Sequence, residues 1–228
     1  MKFRTPLDGF ALRDHLRYHG WIYLVVAVVS IFGWDLVYTT TAYRPPQDKR
    51  IDLYVQGAML QPEAAEGYFG RIADSAVENN ELVSVAHLTG TTETNPYAAQ
   101  QIVVYIGARE GDIYILTSGD FKRYAAQGAF LPLEEYVSAG NLNLNGLDAS
   151  TGFLSVADEQ GGVESHLYGL PLRNMPRLMQ QTGLTEHESL FLCVTVYSGN
   201  EENVLRFINA LLLDGMRPED KLGEMQGS

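Results

Sequence analysis

A continuous apolar segment, residues 21–38, is the strongest hydrophobic feature of the sequence. Eighteen residues in a helix extend over about 27 Å, which matches the hydrocarbon thickness of a lipid bilayer. Aromatic side chains favour the headgroup level of a membrane, and four lie toward the two ends of this segment: Trp21, Tyr23, Trp34 and Tyr38. The pattern predicts a transmembrane helix over residues 21–38, with the lipid bilayer as its first partner.

The charges beside this segment predict its orientation. Residues 1–20 contain four Lys or Arg and two Asp, a net charge of +2. Three basic residues, Arg44, Lys49 and Arg50, follow on the other side. Since the flank with more Lys and Arg stays in the cytoplasm, we expect a cytoplasmic N-terminus and an extracytoplasmic location for the bulk of the chain. A cleaved signal peptide is the competing interpretation, but its apolar region is usually shorter.

Two features next to the membrane leave alternatives open. Residues 8–19 are compatible with an interfacial helix capped by Asp8 and with a disordered cytoplasmic tail. Asp35, grouped here with the anchor, lies near the outer end of the apolar segment. Its carboxylate either reaches headgroups and water or contacts a polar group of a partner helix. Solvation at the interface is the simpler explanation.

Beyond a linker at residues 39–50, apolar positions follow the periods of strands and helices in turn. Strand-like runs occupy residues 51–56, 82–88 and 112–117. A helical stripe follows each run, and these helices begin at Pro62, at Pro96 after the cap Asn95, and at Phe121. In the second helix one face is expected to hold Ala99, Ile102, Val103 and Ile106. This order predicts a parallel sheet with helices on both faces. The expected fold class is α/β: one N-terminal transmembrane helix and then a three-layer αβα domain over residues 51–215.

The second half of this domain is less regular. Residues 138–165 are rich in Gly and Asn, which indicates turns and leaves room for one hairpin. Further strands are predicted over residues 166–172 and 190–197, and a last helix is capped by Asn200 and ends before Gly215. Its apolar residues are expected to face inward: Val204, Leu205, Ile208, Leu211 and Leu212. Residues 216–228 are predicted to be a loose tail.

Charge and cysteine content exclude several classes of function. Residues 44–228 hold 12 basic and 25 acidic side chains, a net charge of −13. Because affinity for nucleic acid comes mainly from Lys and Arg that neutralise phosphates, we expect no nucleic-acid partner. The single cysteine, Cys193, excludes an intrachain disulfide and lies in an apolar run typical of a buried thiol.

The segment from Gly111 to Val137 resembles a part of the extracellular solute-binding proteins of ABC importers. In that family a strand ends in a turn, a short helix follows, and a sequence motif that ends in Pro-Leu closes the segment. The Tyr-Gly-Leu-Pro-Leu run at residues 168–172 and the order of the flanking elements are similar too. The resemblance covers most of residues 51–214 and implies one lobe of a periplasmic-binding-protein-like fold, here anchored in the membrane.

The chain departs from this family in a way that bears on function. Two-lobed members trap their ligand between the lobes, but residues 173–189 are the only connection here between strands 166–172 and 190–197. That connection is far shorter than a domain. The chain also has a membrane helix in place of the lipoprotein cysteine that is common in Gram-positive members. A single lobe has no cleft that closes about a hinge, so no substrate is carried over from the family.

Loops beyond the carboxyl ends of parallel strands are where open α/β sheets bind ligands. These loops supply our ligand-binding candidates: Gln56, Gly57, His87, Thr89, Ser118, Gly119 and Asp120. Free N–H groups at the start of the helix near Phe121 suit an anion. Capping of that helix by Ser118 and Asp120 is the simpler explanation for these two residue types.

No sequence motif of a catalytic or metal site is present. The chain has no nucleophile elbow, no zinc-protease motif and no glycine-rich phosphate loop. We therefore expect no catalytic residues, no metal, no cofactor and no enzymatic activity. Two hypotheses remain. The first is a non-enzymatic anchored module that binds a membrane protein, for example as an accessory subunit of a transport complex. The second is a sensor or receptor whose strand-end loops bind a small molecule.

Overall fold

A computed structural model describes residues 9–41, 45–57, 60–88, 90, 95–157, 163–184 and 189–217. The chain divides into two compact units, Met1–Arg44 and Pro45–Ser228. In the described residues the first unit contains one helix and the second an α/β domain. The predictions for residues 1–8, Thr89 and residues 218–228 fall outside the described residues.

The first unit is a long helix, α1, at Gly9–Thr41. Its part Gly20–Thr41 is long and apolar enough to cross a membrane, and the side chains from Trp21 to Thr41 are exposed. The helix continues through residues 9–19 without a break, which agrees with the helical alternative for this segment, and its location at a membrane interface stays a prediction. A single glycine, Gly20, lowers helix stability by only about 1 kcal/mol and does not end a helix. Residues 39–41 of the predicted linker also belong to α1.

The second unit is built on a five-stranded sheet of order β2-β1-β3-β7-β6. The first three strands, β1 (Arg50–Gln56), β2 (Leu82–Leu88) and β3 (Ile113–Thr117), are parallel, as predicted. The strand β7 (Leu190–Val194) is antiparallel to β3 and to β6 (Leu170–Pro171). A wholly parallel sheet is therefore wrong, because an apolar strand has the same sequence pattern in either direction.

Helices cover both faces of the sheet, which confirms the three-layer architecture. On one face α2 (Pro62–Ala76), α6 (Pro176–Thr182) and α7 (Glu201–Gly215) pack around the larger apolar core. On the other face α3 (Pro96–Gly107) and α4 (Ser118–Ala125) cover a smaller core. A proline in the first turn begins α2, α3 and α6, because its fixed φ suits that position.

The remaining elements lie between β3 and β7. A short helix, α5 (Glu134–Ser138), precedes an antiparallel hairpin of β4 (Phe153–Ala157) and β5 (Val163–Leu167), as the turn-rich sequence predicted. The strand predicted over residues 166–172 is divided between β5 and β6. The helix α6 was not predicted, although Pro176 and the left-handed Gly183 (φ 77°) mark its two ends.

The start of the domain is fastened to the N-terminal end of α7 by amide side chains. The Asn200 Nδ2 atom donates to the carbonyl oxygens of Gln47 and Arg50, both at 3.0 Å. The Gln47 side chain donates in return to the carbonyl oxygen of Ser198. Asn200 holds the N-cap position of α7, as predicted, but its side chain binds residues 47–50 and makes no capping hydrogen bond.

Candidate functional site

The carboxyl ends of β1, β2 and β3 lie side by side, and Gln56 connects them. Its Nε2 atom donates to Asp120 Oδ2 at 2.8 Å and to the Gly90 carbonyl oxygen at 2.6 Å. Its Oε1 atom accepts from the Thr117 backbone N–H at 2.9 Å. The side chain is 1% exposed. One buried amide therefore holds the ends of three strands together.

Asp120 is the second buried polar residue at this edge. It lies in the first turn of α4, whose N-cap position is held by Thr117. The helix begins at Ser118, earlier than predicted, so Ser118 and Asp120 are helical residues and the prediction that they cap α4 is wrong. Acidic residues are favoured both at N-caps and in the first turn, because both places face the positive end of the helix dipole.

His87 and Gly57 make a further link between β1 and β2. The His87 Nε2 atom lies 2.8 Å from the carbonyl oxygen of Gly57. Gly57 is buried and His87 is half-buried, whereas Gly119 is exposed on α4. Thr89 lies outside the described residues. The His87 contact holds two strand ends together, which accounts for the residue without a ligand.

These contacts limit what the predicted loops can bind. The structure brings the described candidates to one edge of the sheet: Gln56, Gly57, His87, Ser118, Gly119 and Asp120. An amide has few hydrogen bonds to offer, and both polar atoms of Gln56 already contact protein atoms. Gln56 and Asp120 are therefore engaged with each other, His87 is engaged with Gly57, and Ser118 lines a cleft.

The cleft beside Ser118 has a volume of about 200 Å³. It forms where the end of β3 meets the start of β7, since Thr117 pairs with Leu190 across the antiparallel register. Its floor is apolar and buried, and consists of Pro171, Leu172, Leu190 and Phe191. Its rim carries three hydroxyls and two cations: Ser118, Thr151, Ser189, Lys122 and Arg173.

The sequence indicated Ser118 but not the rest of this rim. Lys122 follows Ser118 by four residues, so helical periodicity was a signal that could have placed both on one side of α4. Arg173 and Ser189 come from two loops that are both distant in sequence from Ser118. They meet only because β7 enters the sheet between β3 and β6, and no local pattern carries that pairing.

The outer side of α3 carries exposed apolar side chains beside the exposed Gln100 and Gln101. Ile102 is buried, as predicted, but Val103, also expected to point inward, is 57% exposed. Val104 is 56% and Tyr97 76% exposed. Tyr97 and Val104 are seven residues apart and therefore lie on the same side of the helix. We refer to Tyr97, Val103 and Val104 as the α3 face.

A charged cluster connects α5 to the hairpin. The His166 Nδ1 atom contacts Glu134 Oε1, and its Nε2 atom lies 3.2 Å from Glu164 Oε2. The hydrogen bond to Glu134 raises the pKa of His166 above its ordinary value. Partial burial acts to raise the pKa of Glu134, but hydrogen bonds from His166 and the Leu167 N–H outweigh it and lower that pKa. The cluster fastens β5 to α5.

Asp112 is a further buried carboxylate, and its partners are structural. It accepts from the Asp52 N–H at 2.9 Å and from the Ser198 hydroxyl at 2.5 Å. Burial raises the pKa of Asp112, and these hydrogen bonds oppose the shift. Among the described residues, no three His, Cys, Asp or Glu side chains are grouped so that they could hold a metal ion.

Comparison with known proteins gives a distant structural similarity. No family model matches the chain, and no curated protein sequence matches it. An extracellular solute-binding protein family 1 member from Alicyclobacillus acidocaldarius is 17% identical, with a TM-score of 0.35 over 54% of this chain and 27% of that one. An ABC substrate-binding protein from Listeria monocytogenes, solved with cycloalternan, is 18% identical, with a TM-score of 0.37 over 54% and 29%.

An enzyme has a similar degree of likeness. Thiaminase I from Bacillus thiaminolyticus is 13% identical, with a TM-score of 0.30 over 54% of this chain and 28% of that one. The chain thus spans less than a third of the length of these three proteins. Neither a ligand nor a reaction is carried over from similarity of this degree, so the function has to be argued from the chain's own residues.

Proposed function

We propose that this chain is a membrane-anchored, extracytoplasmic, non-enzymatic module that binds another membrane protein. Its more specific form is an accessory subunit of a transport complex. The observation that carries the proposal is the α3 face, where Tyr97, Val103 and Val104 are each more than half exposed. The strand-end side chains Gln56, Asp120 and His87 are engaged in contacts within the domain, which is consistent with a domain that binds through another part of its surface.

The three members of the α3 face lie on one short helix, with Val103 and Val104 adjacent and Tyr97 seven residues before Val104; the exposed Gln100 and Gln101 lie between them. Single exposed apolar side chains are common on soluble domains, whereas clustered ones indicate an interaction site. The helix gains little by exposing two valines, which are also weak helix formers. A protein partner that covers this face would remove its apolar surface from water, which is the main favourable term in association.

The anchor in this proposal is α1. Its stretch Gly20–Thr41 has the length and composition of a membrane span, and Trp21, Trp34 and Tyr38 are exposed on it. Topology is tested by cysteine labelling in a Cys193→Ala background. In intact cells a membrane-impermeant maleimide should label Gln127→Cys, an exposed position after α4, and should label Lys2→Cys only after permeabilisation. The reverse pattern contradicts the orientation, and labelling of both sites in intact cells contradicts the anchor.

Partner binding is tested by gentle solubilisation of native membranes and affinity purification of the full chain. We expect a membrane protein to co-purify in stoichiometric amount. Val104→Lys should abolish its recovery, because a lysine in an apolar contact loses its hydration. Leu213→Lys is the matched control, since Leu213 is 54% exposed on α7. A solitary chain in every mild detergent, or equal recovery with both variants, would contradict the proposal.

The cleft beside Ser118 favours a second candidate function, a receptor for a small molecule. This form of the proposal differs from the strand-end hypothesis, because Gln56, His87 and Asp120 are bound to one another or to the backbone. A ligand that binds the folded chain raises its melting temperature in proportion to the logarithm of its concentration. A screen of sugars, amino acids, peptides and anions with the full chain in detergent tests this candidate, and a flat response across all four groups removes it.

A further inference from the structure

The rim of the cleft beside Ser118 is positively charged although the domain is strongly acidic. Lys122 on α4 and Arg173 after β6 both line it. Among the residues that the structure describes, neither cation forms an ion pair with a carboxylate. Residues 44–228 carry a net charge of −13, so two cations at one small cleft are a local reversal of sign.

Two carboxylates of the described residues, Asp120 and Asp148, form no ion pair with these cations. Asp120, in the same turn as Ser118, does not line the cleft and accepts instead from the Gln56 amide on β1. Asp148 is fully exposed, and hydrogen bonds from Ser150 and then the charge of Arg173 lower its pKa. Asp148 forms no ion pair with Arg173, although the charges of the two residues interact. The charges of Lys122 and Arg173 are therefore not taken up by an ion pair within the described residues, and an anion in the cleft could contact them.

The floor of the cleft adds a second requirement. Pro171, Leu172, Leu190 and Phe191 are each buried and have no polar side-chain atoms. Because these side chains expose little surface of their own, the gain would come from the ligand: a carbon chain that moves from water onto this floor loses contact between its own apolar surface and water, which an inorganic anion does not. The volume of about 200 Å³ corresponds to about six or seven water molecules at ~30 Å³ each. That space suits a molecule with a short carbon chain.

We propose that this cleft binds a small organic acid. Its carboxylate groups would contact Lys122 and Arg173, the rim hydroxyls of Ser118, Thr151 and Ser189 would complete the hydrogen bonds, and its carbon chain would lie on the apolar floor. Charge-assisted hydrogen bonds of this kind are stronger than neutral ones. The inference rests on the receptor candidate and names the class of its ligand; it does not depend on the α3 face.

The test uses the full chain in detergent micelles at constant ionic strength, with succinate as the probe. Succinamide is the uncharged analogue of the same length, and inorganic phosphate is an anion without carbon. Affinities are measured by titration calorimetry. We expect succinate to bind and both comparison molecules to bind at least about tenfold more weakly, because each lacks one of the two recognised features.

Variants assign the binding to the cleft. Lys122→Gln and Arg173→Gln should each weaken succinate binding about tenfold or more, as expected for the loss of one charge-assisted hydrogen bond. Arg123→Gln is the matched control, because Arg123 is the next residue on α4 and does not line the cleft. The unliganded melting temperatures of all three variants should equal that of the wild type, which separates lost binding from lost folding.

Several outcomes overturn the inference. Absence of succinate binding at millimolar concentration, equal binding of succinamide, equal binding of phosphate, or wild-type affinity in both cleft variants would each do so. If a neutral sugar or peptide binds and succinate does not, the receptor candidate stands and the organic-acid inference fails. If nothing in the ligand screen binds, both fail together.

Discussion

The Gln56 amide donates to the Asp120 carboxylate over 2.8 Å, and this contact joins the end of β1 to the first turn of α4. Both side chains are 1% exposed. A buried carboxylate is tolerated only where hydrogen bonds replace its lost hydration. The pair therefore fixes the edge of the sheet at which the cleft also lies.

Gln56→Ala should destabilise the domain strongly. The change removes hydrogen bonds to Asp120, Gly90 and Thr117 and leaves buried polar groups without a partner. We expect a loss of about 2–4 kcal/mol in the free energy of unfolding, measured by chemical denaturation of the full chain in detergent. Gln127→Ala, at an exposed position, should change it by less than about 0.5 kcal/mol. Equal effects of the two changes would show that the Gln56 contacts are not formed.

Gly152 should not tolerate a side chain. A Cβ atom there would lie 1.8 Å from the carbonyl oxygen of Gly169, so the backbone of one of the two segments has to move. We expect Gly152→Ala to lower the free energy of unfolding by roughly 1–3 kcal/mol. Gly67→Ala, on the open side of α2 with no atom within 4 Å of the new Cβ, should instead raise it by about 0.5–1 kcal/mol. The melting temperature should be below that of the wild type for Gly152→Ala and above it for Gly67→Ala, and thermal unfolding of the three chains checks both predictions.

The contact between His166 and Glu134 should make stability depend on pH. The raised pKa of His166 gives a stabilisation that is complete below its ordinary value of 6.5 and is lost as pH rises through the folded value. The lowered pKa of Glu134 gives a second stabilisation of the folded state, which is present above the ordinary value of 4.5 and is lost on acidification. The contact should therefore stabilise most between these two values and fade at alkaline pH.

His166→Gln isolates this effect. The difference in melting temperature between wild type and variant, followed by near-ultraviolet circular dichroism, should be largest near pH 6 and shrink toward pH 9. In NMR titration of the wild type, the His166 resonance, assigned by its absence from the variant, should have a pKa above 6.5. Glu134→Gln should return it toward that value. A difference that is constant with pH would contradict the proposed origin.

Cys193 should be unreactive in the folded chain. The thiol is fully buried in β7, and burial raises its pKa well above the ordinary value, so little thiolate forms at neutral pH. A maleimide should modify native Cys193 about a thousandfold or more slowly than the denatured chain, because reaction requires unfolding. Gln127→Cys in a Cys193→Ala background should react at the denatured rate without denaturant. Rapid labelling of the native wild type would contradict the packing of β7.

The first three strands and their helices could be predicted from sequence because their signals are local. The strand at residues 82–88 was predicted to the residue, and prolines marked the starts of α2 and α3. The five residues of α7 expected to face inward, Val204, Leu205, Ile208, Leu211 and Leu212, are all buried. Strand direction in the second half is not local information, so the antiparallel insertion of β7 was missed.

The candidate site shows the same limit. Gln56, Ser118 and Asp120 were found because each lies at the carboxyl end of a predicted strand or in the loop after it. Their roles were not predicted. Only the structure shows that Gln56 and Asp120 form a hydrogen bond with each other, while Ser118 lines the cleft. Val103 was placed inward because a valine beside Ile102 fits a buried stripe equally well. Exposure of the α3 face depends on how many helices cover that side of the sheet, which a single helix pattern does not contain.

The fastening of Gln47 and Arg50 to Asn200 has a mechanical consequence. A pulling force applied to the chain before Gln47 acts first on these hydrogen bonds. The force is thereby transmitted to the start of α7. The strand β1 lies in the interior of the sheet. It would bear the force only after these hydrogen bonds have broken. In a domain tethered through its N-terminal side, these hydrogen bonds therefore protect the sheet from mechanical unfolding that would begin at β1.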